Sequence, residues 1–230
     1  DGVDACRKAV HRCIREGSTV IKIGTSTGHG DSAWGELPTY SVAEVEAIVH
    51  EAHTWGLRVA AHAMGTPGVK TAVLGGVDTI EHAHNIDDET LGLIVERGTF
   101  VVPTLRARAF RTGADDQTTY ANQVRSLRRA YDAGARLALG TDTTGGLEMP
   151  HGHENAVEFS LMAETMDPAD ALLAGTRVAA EALGLESEVG TLEPGKMADI
   201  VAVRDNPIHN IDSLQQVEFV MQSGRVISRP

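Results

Sequence analysis

Four polar residues interrupt apolar runs of this sequence, each near the point where a run ends. They are a lysine, two histidines and an aspartate: Lys22, His62, His82 and Asp142. Imidazole nitrogen and carboxylate oxygen are ligands that suit zinc and neighbouring divalent metals. The set therefore indicates a divalent-metal site. The competing interpretation takes each residue alone: an isolated histidine is more often a core or surface residue, and Asp142 could simply cap the following segment.

Lys22 is the unusual member of this set. An ammonium group is a poor neighbour for a metal ion, and burying it in an apolar strand without a partner is costly. Reaction of the amine with carbon dioxide would give a carbamate, an anion that can bridge two metal ions. The alternative is that Lys22 ends its strand and reaches over apolar surface to solvent.

The elements that must position these residues follow from the apolar pattern. Runs rich in Val, Ile and Leu predict buried strands at residues 18–23, 58–63, 77–81, 99–105 and 136–140. Helical spacing fills the stretches between them, at residues 42–55, 66–74, 87–96 and 117–133. Ser41 with Glu44 forms a capping box, and Asp87 begins the third of these helices.

Strict alternation of strand and helix predicts an α/β fold with parallel strands joined by crossover helices. A doubly wound sheet and a barrel both fit the alternation. The polar residues favour the barrel, because side chains from different strands converge at the carboxyl ends of barrel strands. An open-sheet phosphate or nucleotide binder lacks support, since no strand is followed by a phosphate-cradling glycine loop.

The remainder of the chain has a different pattern of predicted secondary structure. Helices are predicted at residues 154–164 and 168–183, and short strands and turns follow from Gly190. Pro194-Gly195 is typical of the centre of a type II turn, and Ser223-Gly224 breaks residues 217–227 into a hairpin. The change predicts a boundary near residue 187.

Composition limits the kinds of partner that the protein is expected to bind. The 230 residues carry a formal net charge of −12, which argues against nucleic acid as a partner. No apolar stretch approaches the roughly 18 residues of a membrane span. Cys6 and Cys13 lie about 10 Å apart along a predicted helix, beyond disulfide reach. We expect a soluble cytoplasmic protein that acts on a small molecule, although a sequence opening at Asp1 without methionine leaves a secretory signal on a longer precursor open.

Short motifs follow one another in a characteristic order. They are Ile21-Lys22-Ile23, Val59-Ala60-Ala61-His62-Ala63, Ile80-Glu81-His82, Val101-Val102-Pro103-Thr104-Leu105, Gly140-Thr141-Asp142, Pro150-His151-Gly152 with Asn155 and Glu158, and the stretch 192–199. Together they resemble the amidohydrolase superfamily, in the branch of imidazolonepropionase-like, prolidase-like (Xaa-Pro dipeptidase) and arginine carboxypeptidase-like enzymes. The resemblance covers nearly the whole chain.

This resemblance implies a partial TIM-type (β/α)8 barrel, about five of eight strands, over residues 1–186. Residues 187–230 would be a C-terminal segment of the small β domain that flanks such barrels. Two divalent metal ions, expected to be zinc, would be held with Lys22 as a carboxylated bridging ligand, His62 and His82 on one metal, and Asp142 on the other. Family members also carry a His-x-His pair on the first barrel strand, so we expect about three strands to be missing before Asp1.

The implied activity is hydrolysis of a carbon–nitrogen bond in a dipeptide or N-acyl amino acid. A metal-bridging hydroxide would attack, and Asp142 would be the general base. A cyclic amide such as an imidazolone or lactam is the alternative substrate. A further alternative is that the chain is a catalytically incomplete fragment lacking the His-x-His ligands. At full length we expect a homo-oligomer.

Three residues are weaker candidates for substrate binding. His84 lies two positions beyond His82 and could touch substrate or be only a loop residue. Arg106 could hold a substrate carboxylate or begin a solvated helix. His151 could line the pocket, and a polar surface loop explains it equally well.

Overall fold

The computed structural model describes residues 2–27, 37–111, 113–143 and 152–228. It divides into two compact units. The first comprises Asp1–Pro103 and Arg111–Leu137, and the second comprises Thr104–Phe110 and Ala138–Pro230. Among the described residues, no helix has the length and apolar character needed to cross a membrane.

Strands and helices alternate in the first unit as the sequence predicts. The strands are β1 Val20–Gly24, β2 Arg58–Ala63, β3 Thr79–His82, β4 Phe100–Val102 and β5 Arg136–Leu137. Each strand pairs in parallel with the next in chain order. The helices of the chain are α1 Val3–Arg15, α2 Val42–Thr54, α3 Thr66–Gly75, α4 Asp88–Arg97, α5 Arg106–Ala109, α6 Ala114–Asp132, α7 Val157–Ala163, α8 Pro168–Ala174 and α9 Arg177–Leu183. The predicted parallel α/β sheet is confirmed.

Helix starts and stops follow local chemistry. The Ser41 hydroxyl accepts from the Glu44 N–H, and the Glu44 carboxylate accepts from the Ser41 N–H at 2.8 Å, which confirms the capping box of α2. The Asp87 carboxylate accepts from the Thr90 N–H at 2.8 Å and caps α4. Gly98 ends α4 in the left-handed region, with φ 66°, where a glycine has no Cβ to clash.

The two faces of the parallel sheet differ. Val59, Ala61 and Ala63 alternate along β2 and are fully buried, and Ile80 of β3 continues the same buried face. Lys22 and His62 occupy the alternate positions of β1 and β2, on the opposite face. Because side chains of a strand alternate with a period of two, the apolar residues form the core and the polar residues collect on the other face.

Two strands end earlier than predicted. β4 ends at Val102, because Pro103 has no N–H to donate and Thr104 turns into the left-handed region with φ 53°. β5 ends at Leu137 instead of Gly140, since the Leu139 N–H donates to the carbonyl of Ala174 at 2.9 Å and leaves the sheet. The long-range bond of Leu139 has no signal in the local sequence.

The second unit contains α5, α7, α8, α9, short 3-10 helices and an antiparallel sheet of β6 Ile200–Val203, β7 Val217–Gln222 and β8 Arg225–Ser228. Ser223 and Gly224, with φ 47° and 77°, form the predicted hairpin turn. The Lys196 N–H donates to the Glu193 carbonyl and Gly195 has φ 96°, as the predicted type II turn requires. The boundary near residue 187 stays a prediction.

The single helix predicted for residues 168–183 is wrong. It is two helices, α8 and α9, separated at Gly175 and Thr176. The ring of Phe159 packs against Gly175, where an added Cβ would lie 2.3 Å from the ring Cζ. A tertiary contact therefore explains the glycine at the break.

Candidate functional site

Lys22 lies between buried Ile21 and Ile23 in β1, and its side chain is about half exposed, at 51%. Its Nζ forms an ion pair with a carboxylate oxygen of Glu81 in β3. The other oxygen of Glu81 accepts from the Thr79 hydroxyl at 2.5 Å. Ala60 of β2 stands level with Lys22 and Thr79, and its small side chain leaves room for the pair to reach across β2. The expectation that the strand offers Lys22 no partner is corrected, because a long side chain reaches past the neighbouring strand.

Two predicted metal ligands meet at the ends of neighbouring strands. The rings of His62 and His82 lie edge to face with centroids 4.6 Å apart. Strict alternation would place His82 with Ile80 on the buried face. The backbone of His82 is left-handed, with φ 77°. This conformation turns the Cβ of His82 away from the face on which alternation would place it, and it accounts for the contact between the two rings.

His84 continues this cluster of rings. Its centroid lies 5.9 Å from that of His82, and the residue is only 1% exposed. His84 lies in the loop after β3 and is buried there. Its contact with the His82 ring makes it a neighbour of the candidate metal ligands, and a direct contact with substrate stays a prediction.

The histidine pair fits a metal ion in part. Imidazole is a preferred zinc ligand, and neighbouring strand ends supply two of them side by side. Within the described ranges, no group of three or more His, Cys, Asp or Glu side chains is arranged to hold a metal ion. The pair can therefore supply two ligands of a larger set.

Left-handed backbone is concentrated just beyond the strands. Among the described residues, the non-glycine positions with positive φ are His82, Ala83, Thr104, Asp142 and the hairpin residue Ser223. His82 ends β3 and Ala83 follows it directly, whereas Thr104 lies two residues after β4 and Asp142 lies five residues after β5. Such conformations cost free energy and persist only where the surroundings determine them, often at functional sites. Within the first unit, His82 and Ala83 place this costly backbone at the carboxyl end of β3.

Asp142 is exposed, with φ 51°. The hydroxyls of Thr141 and Thr143 on either side bond each other at 2.7 Å, and the Thr143 hydroxyl also lies 3.3 Å from the Asn155 Oδ1. In the described part of the chain, Asp142 caps no helix. Aspartate is one of the few residue types that tolerate this backbone region. His151 lies outside the described residues.

Arg106 is buried rather than solvated, with 6% exposure. Its guanidinium donates to Glu154 at 2.6 Å and lies over the ring of Phe110 at 4.6 Å. The alternative of a solvated helix start is therefore wrong, because a carboxylate and a ring enclose the cation. Its role in substrate binding stays a prediction.

Glu158 is the titratable group that the sequence interpretation missed as a candidate. It is fully buried, and its carboxylate accepts from the backbone N–H groups of Leu105 and Arg106, each at 2.7 Å. Burial raises the pKa of Glu158 to about 7, while the two N–H bonds and the charge of Arg106 act in the lowering direction. The signal that could have found it is the buried pair Leu161 and Met162, three and four residues later on the same helix face.

Comparison with known proteins gives consistent matches. A model of the amidohydrolase family matches residues 1–228. Ochratoxinase of Aspergillus niger is 29% identical over 248 residues, covering 100% of this chain and 50% of the relative. Imidazolonepropionase of Symbiobacterium thermophilum is 33% identical over 177 residues, covering 76% of this chain and 40% of the relative. The chain therefore spans about half the length of the curated relatives it matches.

A solved structure adds the three-dimensional comparison. A Xaa-Pro dipeptidase with methionine bound in its active site superimposes with a TM-score of 0.89 and 31% sequence identity. The superposition covers 99% of this chain and 59% of the dipeptidase chain. The similarity thus extends over both the parallel sheet and the C-terminal antiparallel sheet.

Proposed function

The chain belongs to the amidohydrolase family, and from that premise we propose that the protein is a metal-dependent hydrolase of an amide or peptide bond in a dipeptide or N-acyl amino acid. The observation that carries the proposal is the meeting of His62 and His82 at neighbouring strand ends. The family is in general metal-dependent, and these imidazoles are chemically suited to zinc. The activity is proposed for the protein at its full natural length.

A metal held there would polarise the scissile carbonyl and lower the pKa of a water molecule. His62 and His82 would bind this ion. Asp142 is proposed as a further metal ligand and as the general base that takes a proton and returns it to the leaving amine. Its exposed carboxylate and its left-handed backbone support that role.

Lys22 is proposed to be carboxylated when two metal ions are bound. The ammonium would first lose a proton, the amine nitrogen would then bond to the carbon of carbon dioxide, and a second proton would be released from that nitrogen. The resulting carbamate would face the Glu81 carboxylate, which now neutralises the Lys22 ammonium. Two facing anions repel each other, so carboxylation and metal binding are expected to occur together.

Residues 1–186 are proposed as part of a (β/α)8 barrel, with a flanking β segment over 187–230. A small-molecule substrate and a homo-oligomeric state at full length complete the proposal. His84, Arg106 and His151 are proposed as substrate-binding residues. The buried Arg106 guanidinium supports a positioning contribution through its bond to Glu154.

A cyclic amide is the second candidate substrate. The similarity to an imidazolonepropionase over 76% of this chain favours it. The dipeptidase similarity covers 99% of the chain and favours the linear amide. Both reactions break a carbon–nitrogen bond, so the difference lies in how the substrate is held rather than in the chemistry.

The test is a substrate screen with the protein at full natural length, zinc-loaded and chelator-treated. The panel contains Xaa-Pro and other dipeptides, N-acyl amino acids, an imidazolone and a lactam. We expect turnover of a linear amide that is lost with the metal and lost in His82→Ala, while the exposed-site control His50→Ala keeps it. Turnover of the cyclic amides alone would select the second candidate, and turnover that survives metal removal would contradict the proposal.

A further inference from the structure

The loop after β3, residues 83–86, has no regular secondary structure, and its backbone groups are bonded by other segments. On one side it is fastened to the segment after β2. The Ala83 N–H donates to the Ala63 carbonyl at 2.9 Å, and the Asn85 N–H donates to the Met64 carbonyl at 3.0 Å. The Thr66 hydroxyl donates to the Asn85 carbonyl at 3.2 Å.

Helix α6 fastens the same loop on its other side. The Ser126 hydroxyl donates to the His84 carbonyl at 2.8 Å, and the Arg129 guanidinium donates to the Ile86 carbonyl. One turn earlier, the Gln123 amide donates to the Pro103 carbonyl just beyond β4. The three side chains are spaced three residues apart, which places them along one face of the helix.

The hydrogen bonds to these carbonyls explain why polar side chains occupy the positions of Gln123, Ser126 and Arg129. Ser126 and Gln123 are 6% and 1% exposed, and the Gln123 Oε1 has no hydrogen-bond partner among the residues that the structure describes. A buried unsatisfied oxygen costs free energy. An apolar side chain would fill the same volume without that cost, so packing alone does not account for the amide.

The backbone that α6 holds is unusual. His82 and Ala83 both have left-handed backbone, with φ 77° and 47°. Consecutive non-glycine residues in this region need surrounding contacts that determine their conformation. The bonds from Ser126 and Arg129 reach the loop from about 42 residues away in the chain. They therefore supply a constraint that the loop sequence itself lacks.

We propose that Ser126, Arg129 and Gln123 are positioning residues: α6 fixes the loops after β3 and β4 and so sets the direction of the His82 and His84 rings. Their action is on carbonyl groups, and the imidazoles respond through the backbone that carries them. The expected effect on the conformational order of these loops follows from the contacts alone. The effect on metal affinity rests on the proposed function.

The test uses the protein at full natural length with two test variants, two controls and one rescue variant. Ser126→Ala removes one hydroxyl, and Arg129→Met removes the bond to Ile86 while keeping a long side chain. Arg125→Ala is the matched control, since Arg125 is exposed on α6 and its guanidinium bonds Asn122 within the helix. A second control, Asp88→Asn, removes the charge of the 2.5 Å ion pair with Arg129 and leaves the Ile86 bond in place.

Two readouts are measured on each variant: deuterium uptake of the peptide containing residues 83–86, and the dissociation constant for zinc ion added to metal-free protein. We expect uptake about fivefold faster in Ser126→Ala and Arg129→Met. We expect zinc to bind about tenfold more weakly in both variants. Replacing a residue that supports a metal ligand typically has an effect of this size. Ser126→Thr, which keeps the hydroxyl, should restore both values, and the two controls should match wild type.

Unchanged uptake in both variants would overturn the proposal outright. Faster uptake with unchanged zinc affinity would overturn the claim that α6 directs the imidazoles. Faster uptake in a protein whose wild type binds no zinc would support the positioning of the loop and count against the proposed function instead. The two ideas therefore fail by different results.

Discussion

The two ends of the same parallel strands are built differently. At the amino ends, Asp78 accepts from the Arg58 guanidinium at 2.9 Å and from the Val59 N–H at 2.7 Å, and its Oδ2 lies 2.8 Å from the His53 Nε2. At the carboxyl ends, two histidine rings meet, and one of them, His82, has left-handed backbone. The first arrangement satisfies charges in ordinary backbone, whereas the second holds the imidazole of His82 in a costly one. We infer from the difference that the amino ends serve stability and that the carboxyl ends carry the proposed site.

Replacing Asp142 should give the largest effect. Asp142→Asn keeps size and one coordinating oxygen but removes the charge and the basicity. General base catalysis typically contributes about 10²- to 10⁴-fold, so kcat should fall by that order while metal content falls much less. Metal stoichiometry and kcat are measured on one preparation at full natural length. A kcat within about tenfold of wild type with metal bound would place proton transfer elsewhere.

Replacing His82 should act on the metal itself. His82→Ala removes one imidazole of the pair, and we expect zinc affinity to fall by about a hundredfold or more, beyond the loss typical of supporting groups. Because the ring is at a strand end, thermal stability should change little. Zinc titration with thermal unfolding checks both, and His50→Ala is the matched histidine control on the exposed face of α2. Equal zinc affinity in the two variants would remove His82 from the ligand set.

Glu158 brings a pH dependence to the loop after β4. Its pKa in the folded protein is about 7, above the ordinary 4.5. The folded state therefore holds the proton more tightly, and this contribution to stability is complete below about pH 4.5 and is lost as pH rises through about 7. The loss amounts to about 3 kcal/mol. Denaturant unfolding at pH 5 and pH 8 should show the decline in wild type and a weaker one in Glu158→Gln. An identical decline in both would assign it to other groups.

Replacing Asp78 should give the smallest of these effects. Unlike the replacement of His82, it should lower stability and leave zinc affinity unchanged. Asp78→Ala leaves the Arg58 cation and the Val59 N–H without this acceptor, and we expect a stability loss of about 2 kcal/mol. Zinc affinity and kcat of the folded protein should stay near wild type. Denaturant unfolding and zinc titration test the pair of expectations. A large loss of zinc affinity at unchanged stability would erase the distinction between the two strand ends.

The sequence predicts local features well. The bounds of β2, the capping box at Ser41 and the hairpin turn at Ser223-Gly224 all follow from short-range patterns, and the structure confirms them. These features depend on neighbours in the chain. The sequential order of the parallel strands agrees with the barrel that the polar residues favoured. Alternation alone also fits a doubly wound sheet.

Features decided by distant contacts could not be predicted. The partner of Lys22 is 59 residues away, and the bond that ends β5 reaches from Leu139 to Ala174. The burial of Glu158 depends on amides of Leu105 and Arg106. The direction of His82 depends on a positive φ that alternation does not reveal. Polar residues at strand ends thus indicate a site, and its exact geometry comes from tertiary structure.

The most direct test of the metal-site account is the anomalous X-ray signal of zinc in crystals of the full-length, metal-loaded protein. The account predicts a zinc peak about 2.0 to 2.1 Å from one ring nitrogen of His62 and one of His82, the usual zinc–imidazole distance. It also predicts carbamate density at the tip of Lys22 in contact with metal. A catalytically active crystal with zinc bound away from both histidines, or a bare Lys22 amine beside a fully metallated site, would contradict it.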